Sequence, residues 1–286
     1  MSHPDNHSSP GVARAAKAVV AAVEVARGAG VSVDARPVLL PGVANTVLGF
    51  PEVGLVAKVA AGRDAMGRLS REHSVAAELG ALGVPVAPPL VGVGPTVHVP
   101  SGLVVTLWPW VDHDASAVAP ARACAESLAA LHEALDATMT PLPSFLVELG
   151  QARAALDADE FMAELPASEQ GFLRAAYDAD MTQLEGLEYD SHRLHGEPHE
   201  ANRLVTPDGV VWVDLESSCT GPREWDLAFL AEPETLEPTA SVDGVLLRCL
   251  RRLNHGRLAT WRWGLLRDYP DLRHLAQADM AYLRRT

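Results

Sequence analysis

The stretch from His195 to Asp226 is dense in side chains able to act as acids, bases or metal ligands, among them His195, Glu197, His199, Asn202, Asp214, Glu216 and Asp226. Local pattern brings several of them together. Arg203–Val205 and Val210–Val213 are short β-rich runs separated by Thr206-Pro207-Asp208-Gly209, which carries hairpin turn chemistry. A hairpin returns Asp214, after its second strand, towards Asn202, before its first. An amide oxygen and a carboxylate are hard donors that suit Mg²⁺, with water and phosphate oxygens completing the shell. If the second strand persists, period-two geometry puts Glu216 on the same face as Asp214, where it supports the metal or orients a water. Pro198 keeps His195–His199 out of a helix, so Glu197 is expected on a loop. The same proline argues against a zinc hydrolase. His-Gly-Glu-Pro-His misplaces the glutamate of an HExxH helix, and the helix that would align the two histidines cannot form.

Three blocks follow one another in order: HGEPHEAN (His195–Asn202), VDLE (Val213–Glu216) and GPREWDLA (Gly221–Ala228). Together they resemble the aminoglycoside phosphotransferase family of small-molecule kinases, which share the two-lobed fold of protein kinases. The resemblance implies an α+β chain with a small antiparallel-sheet N-lobe carrying one key helix and a larger, mainly helical C-lobe. It implies ATP (or GTP) and Mg²⁺ as cofactors, with Asn202 and Asp214 as metal ligands. His195 and His199 would brace the loop, and Asp226 would accept hydrogen bonds from the loop backbone. The family's catalytic aspartate is Glu197 here. Glutamate projects its carboxylate roughly 1 Å further, a displacement that can cost ~100-fold when nothing compensates. Two functions follow. One is a kinase whose loop has adapted to glutamate; the alternative is a nucleotide-binding pseudokinase or regulator with impaired transfer.

The elements that must present a nucleotide lie upstream. Val38–Leu40, Val47–Phe50 and Leu55–Val59 read as strands. Pro41–Thr46 between the first two is a turn whose amides at Asn45 and Thr46 could face phosphate oxygens. Lys58 sits inside the apolar run LVAKVA, where an unpaired ammonium is costly. A helix follows over about 69–82, its buried stripe marked by Val75, Leu79 and Leu82. Glu72 falls on that inward face. Each charge answers the other's burial, and in the kinase fold such a pair places the lysine on the α- and β-phosphates. Leu103–Trp108 reads as a buried strand ending at Trp108-Pro109-Trp110, where the resemblance puts the hinge. Pro109 has no N–H, so the adenine contacts are assigned to the Trp108 carbonyl and the Trp110 N–H.

The boundaries expected are a disordered tail over 1–10, an N-lobe over 11–108 and a C-lobe over 109–286. An amphipathic helix is expected to open the N-lobe. Beyond the hinge, Ala121, Cys124, Leu128, Leu131 and Leu135 keep a helical stripe, with His132 read as a capping or surface residue. Three more helices are expected from the stripes at Val242–Leu253, Leu258–Leu265 and Leu272–Leu283. The run over 157–190 is strongly acidic; such runs are usually solvated, but here it is also a candidate wall for an amine-bearing acceptor. The chain of 286 residues has a net charge of −14, which argues against nucleic acid or an anionic membrane as partner and suits a cationic small molecule with a hydroxyl. Three widely spaced cysteines with no CxxC point to a reducing compartment, and no stretch is long and apolar enough to span a bilayer, so the expected location is the cytoplasm.

Overall fold

Five short runs of β-forming residues pair into one antiparallel sheet: β1 (Val38–Leu40), β2 (Thr46–Phe50), β3 (Leu55–Ala60), β4 (Thr96–His98) and β5 (Leu103–Pro109). Their spatial order is β1-β2-β3-β5-β4. The coordinates are a computed structural model and describe residues 10–33, 36–42, 44–230 and 242–286. The expected tail therefore lies outside the described residues apart from Pro10, which opens α1 (Pro10–Gly28). Ala18, Ala21, Ala22 and Ala26 form the buried stripe of α1, and their small side chains let the helix lie close on Leu48, Phe50, Leu55 and Leu107 of the sheet. Strand β4 escaped the sequence reading because its one buried side chain, His98, is polar while Thr96 and Val97 are exposed.

The helix expected near 69–82 is α2 (Ala65–Ala81). It starts a turn earlier than expected and buries Leu69, Glu72, Val75, Ala76 and Leu79. The predicted hairpin is β7 (Arg203–Thr206) and β8 (Gly209–Trp212), following β6 (His192–Leu194), with Arg203 opposite Trp212.

Two compact units divide the chain. The first contains residues up to 118 together with 137–141 and 203–217; the second contains 119–136, 142–202 and 218–286. In the first, β8 is tied to the stretch after α2: Trp212 donates to Pro85 O at 3.0 Å and accepts from the Ala87 N–H at 3.3 Å. In the second, β6 pairs with β9 (Cys219–Gly221), and helices α3 (Ala121–Asp136), α4 (Phe145–Leu156), α5 (Ala167–Glu185), α6 (Arg223–Leu227), α7 (Gly244–Gly264) and α8 (Arg273–Arg285) supply the core.

Two of the three expected C-terminal helices are one. Nothing between Leu253 and Leu258 breaks α7, and Gly256 is accommodated because the Tyr177 ring of α5 occupies the space a side chain would take, 2.8 Å from an ideal Cβ. Part of the acidic run is paired with arginines. Asp157 and Asp178 pair with Arg153, Glu164 with Arg273, Glu169 with Arg284 and Asp180 with Arg252. Much of its charge is thus balanced by arginines of its own unit.

Candidate active site

Lys58 and Glu72 meet. The Nζ of Lys58 lies 2.9 and 2.8 Å from the two carboxylate oxygens of Glu72, and both residues are buried, 5% and 2% exposed. The same ammonium reaches Asp214 Oδ1 at 2.7 Å and Glu216 Oε2 at 2.9 Å. Three carboxylates therefore surround one cation in the first unit. Burial alone lowers the Lys58 pKa, but Asp214, Glu72 and Glu216 outweigh it and hold the ammonium above the ordinary lysine value. Burial pushes the Glu72 carboxyl up to about 7 against the pull of Lys58, with repulsion from Asp214 and Glu216 adding to it.

The route from β8 to Glu216 is not the extended strand expected. β8 ends at Trp212, Asp214 takes a left-handed backbone with φ 62°, and Leu215–Ser217 form a 3₁₀ turn. A non-glycine residue in that region is strained and is held there by its contacts. The turn still brings Glu216 to Lys58, and Glu216 is engaged at both oxygens. Arg68 donates to Oε1 at 2.8 Å, and Asn45 Nδ2 donates to Oε2 at 2.7 Å. Arg71 adds a bond to the Glu216 carbonyl at 3.0 Å. With these partners Glu216 orders α2 and the turn around Lys58. The Asn45 side chain is committed to Glu216, while Thr46 pairs with Val59 in the ladder; neither side chain is the feature that marks this turn. Val43 of the turn lies outside the described residues.

The hinge contacts require correction. Trp110 N–H donates to Gly54 O at 2.8 Å, so it is already spent on the sheet. Bonded pairs in an antiparallel ladder recur at every second residue. With Gly54–Trp110 bonded, Val56–Trp108 is bonded too, and Leu55–Pro109 is the outward pair of the register. Leu107 follows the same parity, for its carbonyl accepts the Leu90 N–H from the other edge at 3.0 Å. The carbonyl turned outward is that of Pro109, and the next N–H in the same phase belongs to Val111. The Trp110 indole instead packs over Gly49, where a Cβ would stand 2.7 Å from the ring.

In the second unit, Asp226 gathers the loop. Its Oδ2 accepts the His195 N–H at 2.9 Å and its Oδ1 the Gly196 N–H at 2.9 Å. The Trp225 indole N–H donates to Gly196 O at 3.0 Å. Gly196 has φ 93°, a conformation that side-chain-bearing residues rarely adopt, so both its backbone groups and its residue type are fixed. His132 is not on the surface. It is buried, and its Nε2 lies 2.7 Å from Asp226 Oδ2. A histidine beside a helical stripe gave only a weak signal for this. His195 is fully buried, and its Nδ1 accepts the Glu197 N–H at 3.3 Å. His199 packs its ring towards Phe229 and sits 3.4 Å from Asn202 Nδ2. Asn202 donates from that same Nδ2 to the Glu197 carbonyl at 2.9 Å, which assigns the amide orientation and leaves Oδ1 as its acceptor face.

Arg257 is the residue the sequence reading missed. Its Nη1 lies 2.6 Å from Glu197 Oε1 and also bonds Glu148 of α4. Burial alone lowers the Arg257 pKa, but the two glutamates raise it further than burial lowers it. The signal was available: Leu246, Leu250, Leu253, Arg257 and Thr260 keep steps of four and three, placing an arginine on an otherwise inward face.

Among the described residues, carboxylates, histidines and cysteines gather closely enough to hold an ion at Glu72, Asp214 and Glu216, whose ligand atoms lie within 4.8 Å of one another. All three are carboxylates.

No curated protein matches this sequence. Solved structures do. An amicoumacin kinase in complex with AMP-PNP, Ca²⁺ and amicoumacin is 12% identical, with TM-score 0.62 and 87% of each chain covered. An aminoglycoside phosphotransferase in its GDP and kanamycin complex is 16% identical, with TM-score 0.65 over 93% of this chain and 97% of that one. A choline/ethanolamine kinase family protein from Mesorhizobium loti is 19% identical, with TM-score 0.60 over 94% and 93%. The fold is protein-kinase-like, with an antiparallel-sheet N-lobe and a helical C-terminal region. The family model described as "Phosphotransferase enzyme family" matches residues 47–269, most of the chain, and the protein belongs to that family.

Proposed function

We propose that the protein transfers the γ-phosphate of ATP (or GTP) to a hydroxyl of an amine-bearing small molecule. The observation that carries this reading is the Lys58 ammonium, held by buried Glu72 and touching Asp214 at 2.7 Å. Phosphoryl transfer has a loose transition state, so positioning and charge neutralisation do most of the work. Lys58 presents a fixed positive charge to the nucleotide phosphates. The Pro109 carbonyl and the Val111 N–H take the adenine edge.

Asn202 and Asp214 each have donor chemistry suited to magnesium. Asn202 turns its Oδ1 away from the amide group bonded to Glu197, and the Asp214 side chain is 39% exposed, so both offer hard oxygen donors. When bound, magnesium neutralises phosphate charge. Glu197 aims the acceptor hydroxyl and receives its proton as the acceptor oxygen–phosphorus bond forms and the bond to the β–γ bridging oxygen breaks. Asp226, through the His195 and Gly196 amides, fixes the loop that carries Glu197.

The amine-bearing class is supported by the acidic balance of the chain and by Glu148 and Glu197, whose side chains are 27% and 25% exposed. Kanamycin and spectinomycin in the structures of similar proteins support it as well. We place the protein in the cytoplasm; among the described residues no helix is long and apolar enough to cross a membrane. The test is ADP formation with ATP and Mg²⁺ across aminoglycosides, macrolides, choline, homoserine and sugars. Glu197→Ala should lower it by ~10²–10⁴-fold and Asp214→Ala should abolish it, and wild-type turnover in both variants sinks the assignment.

A further inference from the structure

Arg257 is an immobilised cation in contact with the proposed catalytic carboxylate. The residue is 2% exposed. Its guanidinium carbon lies 5.8 Å from the Trp225 ring centre and 5.4 Å from that of Phe229. Nε and Nη2 donate to Asn254 Oδ1 at 3.3 and 3.2 Å, which sets the plane of the group. Nη1 is left for Glu197, at 2.6 Å, and Glu148. Trp225 is itself bonded to Gly196, one residue before Glu197, so the wall that fixes the arginine also fixes the loop.

This arrangement answers the difference between glutamate and aspartate. A longer side chain has an additional rotatable bond, and its carboxylate reaches further and wanders more. A cation whose own plane is locked removes that freedom at Glu197 Oε1. Glu148 on the same nitrogen shares the positive charge, so Glu197 keeps net negative character and can still accept a proton.

We propose that Arg257 is a positioning residue that fits Glu197 to the place where related loops carry aspartate, with Glu148 as the balancing anion. The inference rests on the phosphotransferase reading. It is separate from that reading, because a kinase could use Glu197 without any help from α7.

A double-mutant cycle on the full-length protein tests it. Turnover of ATP–Mg²⁺ is followed as ADP release with whichever acceptor of the panel, or water, gives the fastest rate. Arg257→Met should lower kcat by ~10–100-fold, the scale of a misplaced catalytic group, with KM for ATP changed less than about twofold. In a Glu197→Gln background the same substitution should change kcat by less than about twofold, because the group it positions is no longer a base. Arg257→Lys should recover part of the loss, since it keeps the charge without the planar fork. If Arg257→Met does not fold, the cycle is run with Arg257→Lys. Equal losses in both backgrounds, or a wild-type kcat in Arg257→Met, overturn the proposal and leave the phosphotransferase reading standing. A wild-type protein that releases no ADP with any acceptor or with water overturns both.

Discussion

Lys58 Nζ and Asp214 Oδ1 stand 2.7 Å apart although 156 residues separate them in the chain. Glu72 and Glu216 complete a ring of acceptors around the same ammonium. Lys58 therefore acts as the internal counter-ion of a carboxylate group that otherwise has the composition of a divalent-cation site.

Lys58→Met should expose that character. Removing the cation takes away the ammonium that three close carboxylates share, and breaking a buried ion pair costs about 3–5 kcal/mol. In chelator the variant should melt well below wild type. Millimolar Ca²⁺ or Mg²⁺, without nucleotide, should restore more stability to the variant than to wild type, as read by thermal shift. An equal response in both proteins would contradict the counter-ion role.

Stability of the metal-free protein should depend on Glu72. Its carboxyl, at about 7 in the fold, holds its proton more tightly than in the unfolded chain, where the ordinary value is 4.5. Its stabilising contribution is complete below about 4.5 and is lost as pH rises through about 7. Melting temperature should thus fall between pH 5 and pH 8, and Glu72→Gln should flatten that slope. Lys58, Asp214 and Glu216 face this group, so the comparison is made in the absence of nucleotide and divalent ions. A steeper slope in Glu72→Gln would reverse the assignment.

Asp226→Asn should damage the loop more than the loss of any one of its partners. The carboxylate accepts from His132, His195 and Gly196 at once, and an amide turns a donor towards donors. Hydrogen bonds to charged groups are worth about 1.5–3 kcal/mol each, so a loss of a few kcal/mol is expected in denaturant unfolding. His132→Ala removes one arm and should cost less. Equal losses would mean that the backbone bonds contribute little.

Glu197→Asp should lower turnover although it installs the family's residue. Aspartate is a methylene shorter and gives up the 2.6 Å contact with Arg257, leaving a buried guanidinium short of one partner. A reduction of ~10-fold or more in kcat is expected on the scale of small misplacements. A rate equal to or above wild type would show that the loop is not adapted to glutamate.

Much of the fold was readable where one residue's chemistry has few solutions. Lys58 within LVAKVA and Glu72 on an apolar stripe each required a partner, and they supplied one another. The Thr206–Gly209 turn fixed the hairpin because its residue types favour little else. Arg257 obeyed the same logic as Lys58, but a stripe in α7 already satisfied by Leu250 and Leu253 hid the odd member. The hinge failed for a different reason. Strand parity depends on which residue pairs with which across the sheet, and the Gly54–Trp110 bond that sets it leaves no trace in local sequence. Likewise the left-handed turn at Asp214 is held by residues distant in the chain, Lys58 on Asp214 and Asn45, Arg68 and Arg71 on Glu216, so period-two reasoning carried the strand too far.

The division of the chain into interleaved units has a consequence for synthesis. Residues up to 118 bring Lys58 and Glu72, but Asp214 and Glu216 arrive only with the segment 203–217. At a translation rate of about 5–20 residues per second, the sheet waits roughly 5–20 s for the rest of its ring of acceptors. A nascent chain stalled shortly after Val118 should therefore remain open to protease near β3, and acquire protection only once Ser217 has cleared the ribosome.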